Sequence, residues 1–298
     1  MAYATEPTHG KYGAMYWKRP NGFKGSGLND VTWGTGATNA ATAYYEVVID
    51  LAAATDTFKW RKNGGAWTED VALTGAAQTL DEGQQITFAA TAGHTAGDQW
   101  VIGNLVSEAT TESGTTAQIT TAGNRMLNPD APPTFTDSGG KTVLWIDYAS
   151  GTAHFNGNVA TVTVSGNNGY IPAGSLQYAA YCQGWNASFT LDMADITAQG
   201  DKWKTNLPGI PGGSGSIDKM FIGGVALLDE IAETLAGGDK YVLFQLFTWD
   251  ADKDQTGDHL QLWATINGLG VNPTVGGGSV KESVNFTLTG LPYWVANT

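Results

Sequence analysis

At 298 residues the chain is long enough for one large domain or two ordinary ones, each with a real core. Hydrophobic residues at 42% and aromatic residues at 11% exclude a disordered chain, and with charged residues at only 14% the surface must be covered by Thr, Ser, Asn, Gln and Gly. A formal charge of −13 excludes a protein that grips nucleic acid by releasing counterions, and a single cysteine, Cys182, excludes an intrachain disulfide and a thiolate metal cluster. Cys182, between Tyr181 and Gln183, reads as a small buried hydrophobe. The opening MAYATEPTHGKYG has no basic stretch followed by an apolar one, so no secretory leader is expected. No run approaches the roughly 18 apolar residues of a membrane span, so the expectation is a chain made in a cytoplasm and soluble there, without membrane insertion.

Residues 1–38 are Gly-rich and aromatic without a clear period. Tyr12, Met15, Tyr16, Trp17 and Phe23 are nevertheless too apolar for a solvated tail and should pack on this subunit or on a neighbour. Residues 39–106 read as a self-contained β module. YYEVVID (44–50) and DTFKWRK (56–62) alternate as strands do, Asn63-Gly64-Gly65 is a hairpin signal, and Glu82-Gly83 marks a turn before a strand carrying Ile86 and Phe88. Phe58, Trp60, Trp67, Phe88 and Trp100 could furnish the core of a small Ig-like sandwich.

Residues 107–123 are Thr- and Ser-rich and suit a connector running into a strand. NRMLNPDAPPTFTDSGG (124–140) reads as a long loop, because three prolines forbid regular structure in its middle. From 141 onward strand follows strand: KTVLWIDYAS, HFNGNVATVTVSG, then SLQYAAYCQGWNASFTLDMADIT with Trp185, Phe189 and Leu191 alternating. DKWKTNLPGIPGGSGSIDKMFIG is a turn-rich passage ending in a strand.

Within GGVALLDEIAETLAGGDKYVLFQLFTWD (223–250) the spacing predicts one short amphipathic helix over 225–236. Leu227, Leu228, Ile231 and Leu235 share a face, Asp229, Glu230 and Glu233 point away, and Gly237-Gly238 stops it. A helix this short is marginal alone, so its apolar face must dock on a sheet. KYVLFQLFTWD, DHLQLWATINGL and SVKESVNFTLTGL close the chain as strands. The class is mainly β with one helix.

Signatures of catalysis are scarce. His9, His94, His154 and His259 have no metal-ligand spacing, GGSGS at 212–216 lacks the last Gly of a nucleophile elbow, and no P-loop is present. Asp250, Asp252 and Asp254 are spaced like the first three ligands of a calcium loop. Gln255 and Gln261, however, stand where that loop needs Gly and a bidentate Glu, and an ordinary polar hairpin explains the aspartates equally. Eleven tryptophans leave two readings open, a core or interface role and stacking on sugar rings.

WNASFTLDMADITAQGDKWKTNLPGIPGGSGSID, residues 185–218, resembles the tail tube proteins of long-tailed bacteriophages. The order is that of the family: a strand opening on Trp185, the Asp195-Ile196-Thr197 element, the Gly200-Asp201 turn, Trp203, and the Leu207-Pro208-Gly209 turn. The helix at 225–236 before an apolar strand continues that order, as do LQLWATINGLGVNP, Gly276–Gly278 and SVNFTLTG; GTAHFNGNVATVTVSG resembles the opening strand of such a domain. The likeness covers roughly residues 140–298, with 39–106 resembling small β modules inserted in phage structural proteins.

The resemblance implies a two-sheet β-sandwich or barrel with one flanking helix, divided as an arm (1–38), an inserted, outward-facing module (39–106) and a tube domain (107–298). It implies identical subunits in rings of six, stacked into a tube with an acidic bore. DNA passes through without specific binding. The partners are the tape measure protein, the terminator and the tail tip or baseplate, in a virion tail assembled in the host cytoplasm. No enzymatic activity and no cofactor are expected. Contacts between subunits and rings would fall on Tyr12, Met15, Tyr16 and Trp17 of the arm, Met126, Leu127 and Phe135 of the loop, and Leu227 and Ile231 of the helix. The residues themselves leave a glycan-binding sandwich, as in an adhesin or tail fibre, as the alternative.

Overall fold

The computed structural model describes residues 14–25, 27–172, 175–178, 182–195, 206–220, 241–248, 255, 257–272 and 281–296. The protein is mainly β. In chain order the strands are β1 (Ala14–Lys18), β2 (Phe23–Lys24), β3 (Val31–Trp33), β4 (Ala43–Leu51), β5 (Thr57–Lys62), β6 (Thr68–Ala72), β7 (Gln78–Thr79) and β8 (Gln85–Phe88). They continue with β9 (Gln99–Ser113), β10 (Thr116–Ile119), β11 (Thr134–Asp137), β12 (Val143–Asp147), β13 (Thr152–Phe155), β14 (Val162–Tyr170) and β15 (Gln177–Tyr178). The last six are β16 (Cys182–Asp195), β17 (Asn206–Met220), β18 (Val242–Phe247), β19 (His259–Asn272), β20 (Lys281–Leu288) and β21 (Tyr293–Val295). Among the described residues the helical content is one 3-10 turn, Ala122–Asn124. The helix expected at 225–236 lies outside the described residues.

By its contacts the chain divides into two units, and the division passes within β1 and β18. One unit comprises Tyr16–Tyr178 with Tyr241–Phe244; the other comprises Met1–Met15, Ala179–Lys240 and Gln245–Thr298. β9 runs unbroken through residues 106 and 107.

In the first unit β9 is the spine. It pairs with β4 through residues 99–104, with β14 through 103–109 and with β10 through 110–113. The sheet built on it runs β12-β13-β10-β9-β4-β5-β6, and a three-stranded sheet, β3-β8-β7, accompanies it. Strict alternation in β4 puts Ala43, Tyr45, Val47 and Ile49 inside. Phe88 lies 5.2 Å from Phe58 and meets Trp100 edge-on at 5.4 Å, while Trp100 stacks obliquely on Phe23 at 5.1 Å. Of the five aromatics expected in the core of 39–106, Phe58, Phe88 and Trp100 are buried, whereas Trp60 and Trp67 are only half-buried, Trp67 lying against Lys59 and Arg61; β2 and β3 from the preceding segment complete the packing. Asn63 and Gly64 both take positive φ, 49° and 68°, as a two-residue hairpin turn requires.

A second apolar cluster in this unit gathers Leu105, Ile119, Leu127, Phe135, Phe155, Val162, Val164 and Tyr170. Here the structure departs from the loop read over 124–140, because Thr134–Asp137 form β11 against β14. Pro129, Pro132 and Pro133 remove donors only as far as residue 133, and beyond them Phe135 and Asp137 alternate inward. Asp137 closes the turn after β11 by accepting from the backbone N–H groups of Lys141 and Ala160 at 3.0 and 2.9 Å. Those bonds hold its carboxyl below the usual range.

A knot of buried amides joins the two clusters. The Asn104 Nδ2 donates to Asn39 Oδ1 at 2.8 Å and to Gln84 Oε1 at 2.9 Å. Its Oδ1 accepts from the Asn168 backbone N–H at 2.7 Å, and Asn168 Nδ2 donates to the Gly34 carbonyl at 3.1 Å. Buried amides are costly unless satisfied in this way.

The other unit is an antiparallel sheet that runs from the end of β18 through β19, β20 and β17 to β16, with β21 also paired to β19.

Candidate subunit interface

Among the described residues β16 and β17 form the longest antiparallel pair, with Cys182 to Asp195 opposite Lys219 to Asn206. The passage read as turn-rich is thus a 15-residue strand. Two partners override its local signals, β16 on one side and β20 on the other. Its prolines fall at the edge of that pairing: Pro211 and Pro208 flank the register shift between Leu191 and Met193. Its glycines admit side chains from β20. A Cβ at Gly215 would stand 2.3 Å from both the Asn186 carbonyl oxygen and the Phe286 ring. We expect Gly215→Ala to destabilise the sheet by about 1–3 kcal/mol in chemical denaturation, with the loss confined to this unit.

The register defines two faces. Trp185, Ile217 and Val284 lie in one row and Ala187, Gly215, Phe286 and Ile266 in the next. Ile217, Val284, Phe286 and Ile266 are buried, and the half-buried Trp185 donates its Nε1–H to the Phe247 carbonyl at 3.2 Å. On the opposite face one row reads Ser188, Ser214, Thr287, Thr265, and its neighbour reads Asn186, Ser216, Asn285. Asn186 Nδ2 donates to Ser216 Oγ at 2.7 Å and its Oδ1 accepts from the Ser216 N–H at 3.1 Å; Asn267 Nδ2 donates to Thr287 Oγ1 at 2.6 Å.

β16 ends the sheet and has no strand on its outer side among the described residues. The strand is 14 residues, about 45 Å, long. From Cys182 to Leu191 it contains no charged residue and no proline. Phe189, on the apolar side, is 52% exposed. β6, an edge of the first unit, is different: Glu69 and Asp70 are exposed on it and Asp70 takes a positive φ of 56°. Charge and irregular backbone keep such an edge from pairing, and from Trp185 to Leu191 β16 carries neither, its register shifts and its two acids, Asp192 and Asp195, lying outside that stretch. Single-sequence reading can find the missing charge, but the position of β16 at the rim follows only from the pairing.

Six of the side chains expected at subunit or ring contacts are among the described residues. Met15, Tyr16, Trp17, Met126, Leu127 and Phe135 are all buried within the chain, at 6% exposure or less. Tyr16 packs on Tyr178 at 5.4 Å, and Leu127 bridges to Tyr170. Their placement does not carry the expectation that they meet a neighbouring subunit. Tyr12, Leu227, Ile231, Asp250, Asp252 and Asp254 lie outside the described residues.

The chemistry elsewhere is structural in character. His94 is enclosed by Asp56, 2.9 Å from Nδ1, and Asp30, 3.0 Å from Nε2. Burial pushes Asp56 up, but the N–H groups of Ala53 and His94 and the imidazole outweigh it and hold the carboxyl below its ordinary value. Trp145, 42% exposed, stacks on His154 at 3.6 Å. Burial pushes Asp147 beside it up and His154 down. An open groove of about 450 Å³ lies between β11 and β12, lined by Pro133, Phe135, Val143 and Ile146, and its carboxylate, Asp137, is already engaged by backbone donors. Among the described residues no group of three or more His, Cys, Asp or Glu side chains could hold a metal ion.

No known sequence family matches the chain, and neither does any curated protein. Solved structures do show likenesses. The tail of an empty gene transfer agent particle, with C6 symmetry, is 19% identical over 42% of this chain and 89% of its own, with a TM-score of 0.32. The SPP1 tail tube is 18% identical over 42% and 70%, with a TM-score of 0.34. The baseplate of the anti-feeding prophage is 9% identical over 41% and 85%, also at 0.34. The structural neighbours are thus tail tube and baseplate proteins of phage-like particles, matched in part and at a low level.

Proposed function

We propose that this chain is a structural protein of a phage-like tail. Its copies pair edge to edge into rings of six, and the rings stack into the tube through which DNA leaves the particle. The observation that carries the reading is the outer edge of β16 from Trp185 to Leu191: uncharged, without a register shift, and without a strand beside it among the described residues. An edge like this invites another strand, and a rotational arrangement that closes on itself turns such pairing into a ring rather than an open aggregate. Of the sequence motifs of residues 185–218, Trp185, Asp195 and Leu207-Pro208-Gly209 fall on β16 and β17, while Ile196-Thr197, Gly200-Asp201 and Trp203 lie outside the described residues. In this reading the module around β4, β5 and β6 stands on the outside, where its charged edge stays single. The tail tip, the terminator and the tape measure protein are the other partners, and the protein has no catalytic role.

The test is direct. Purified protein, concentrated alone and also seeded with tail tips, should give hollow tubes or rings in negative stain and a fast-sedimenting species. Monodisperse monomers under every condition, seeding included, would show that the edge does not serve assembly.

A further inference from the structure

We propose that Asn39 and Lys62 are poised to join in an isopeptide bond, with Glu82 carrying the proton between them. The bond would tie the segment leading into β4 to the end of β5 and release one molecule of ammonia.

The three groups already meet. Lys62 is the last residue of β5 and stands opposite Tyr45 of β4. Its Nζ lies 2.5 Å from Glu82 Oε2, and the same oxygen accepts from Asn39 Nδ2 at 2.7 Å. With one acceptor atom between them, the amine and the amide nitrogen are no more than about 5 Å apart. Asn39 is buried and its amide is fixed in orientation. Nδ2 also donates to Tyr45 Oη at 2.7 Å, and Oδ1 accepts from Asn104 Nδ2 at 2.8 Å. The backbone beside it is held as well, since the Thr38 N–H donates to the Glu82 carbonyl at 2.7 Å. Lys62 and Glu82 are partly exposed, so the cluster opens to water on one side.

Each role that acyl transfer needs is filled. Lys62 passes a proton to Glu82 along their hydrogen bond, and the freed lone pair attacks Asn39 Cγ, forming the new C–N bond. Negative charge gathers on Oδ1, where Asn104 Nδ2 is already placed to donate. Glu82 returns its proton to Asn39 Nδ2, the Cγ–Nδ2 bond breaks and the carbonyl re-forms. The nitrogen of the new amide gives up its surplus proton through Glu82 to the departing ammonia. The products are the amide and ammonium, Glu82 ends as the carboxylate it was, and nothing is oxidised or reduced. Positioning of this kind is what lets an unactivated amide react at all.

The starting state is an ion pair, and this sets the pH dependence. Burial pushes Lys62 down, but the hydrogen bond and charge of Glu82, with Tyr45 of β4 and Asp81, outweigh it and hold the ammonium form above its ordinary value. The lone pair is therefore scarce at neutral pH. The bond forms slowly there, and its rate climbs about tenfold per pH unit until the ammonium is titrated.

The experiment ages the folded, full-length protein at neutral pH and at about pH 9 and follows its intact mass. A species lighter by one ammonia should accumulate, at least about tenfold faster at the higher pH, and its proteolytic digest should contain a branched peptide joining residues 39 and 62. Lys62→Arg keeps the ion pair with Glu82 but has no amine to attack, so it should yield no branched peptide. Glu82→Gln keeps the size of the side chain without the proton carrier and should slow the reaction at least about tenfold. No loss of ammonia from the folded protein at either pH overturns the proposal. So does ammonia lost only as a succinimide at an Asn-Gly pair such as Asn63-Gly64, with residues 39 and 62 in separate peptides. A rate in Glu82→Gln equal to the parent's overturns the role given to Glu82.

Discussion

Replacing Phe189 with lysine leaves the subunit folded and stops it assembling. Phe189 stands on the rim strand, half in solvent, on the apolar side of the sheet where Gly213 and Leu288 follow it in register. In the isolated subunit it has little to lose, so thermal stability should move by no more than about 0.5 kcal/mol. In an edge-to-edge pair it becomes an aromatic anchor between two sheets, and loss of such an anchor costs about 2 kcal/mol or more at each contact, roughly a thirtyfold weakening. Lysine adds a second effect, because a charge on a rim strand must be desolvated before another strand can approach. In a ring the weakening recurs at every joint. Sedimentation velocity at matched concentration should show the variant as monomer where the parent gives fast species. Tubes in normal yield from Phe189→Lys would mean that β16 does not lie at the joint.

The second large effect concerns the first unit and its interior. His94 has no exposed side-chain surface and lies between the carboxylates of Asp56 and Asp30, with the Phe88 ring edge-on at 5.5 Å. The three residues come from distant stretches, Asp30 just before β3, Asp56 before β5 and His94 between β8 and β9, so the imidazole ties the small sheet to the large one. His94→Leu fills the space but leaves the buried Asp56 with backbone donors only and Asp30 with one partner fewer. Leaving buried carboxylates short of a hydrogen-bond partner costs about 1–3 kcal/mol, which corresponds to a fall of roughly 2–12 °C in the melting temperature of a unit this size. His94→Gln, which can still donate to one carboxylate, should lose less. The pH dependence has a definite sign. Asp56 is held below its ordinary value in the folded state, so its contribution is complete above the unfolded value and disappears as pH falls through the folded one. Asp56→Asn should therefore flatten the acid limb of the stability profile, as read by thermal melts from neutral pH downward.

How far these features were legible depends on whether local chemistry or distant pairing decides them. The alternation of β4, the Asn63-Gly64 hairpin and the Glu82-Gly83 turn are local. Tyr45, Val47 and Ile49 announce their face by period, and the positive φ of Glu82 and Gly83, 46° and 75°, follows from the turn type. β17 was hidden for the opposite reason. Pro208, Pro211 and Gly212 to Gly215 look like a breaker, and only the presence of a partner on each side explains why the chain is extended there. The glycines mark the passage of the Phe286 and Leu288 side chains over the strand, a relation between residues some seventy positions apart that no window detects. β11 is hard to read because its alternation spans only four residues directly after three prolines that forbid regular structure. For the candidate interface, the run of uncharged residues in β16 was visible in the sequence, but its place at the rim was not. Aromatic residues in irregular stretches, such as Tyr16 and Trp17, suggested a meeting with neighbours through composition alone, and such residues serve equally well as core.

The amide knot at Asn104 bears on what can be cut from this chain. Asn104 sits on β9, and its side chain holds Asn39 and Gln84 on one side and the backbone of Asn168 on the other. Excising residues 39–106 as a cassette would take away the first half of β9 and strand Asn168 in the interior with its N–H group orphaned. A graft of foreign sequence has a safer place at the tip of the β5–β6 hairpin, where Asn63, Gly64 and Gly65 are exposed and a longer excursion would leave that knot untouched.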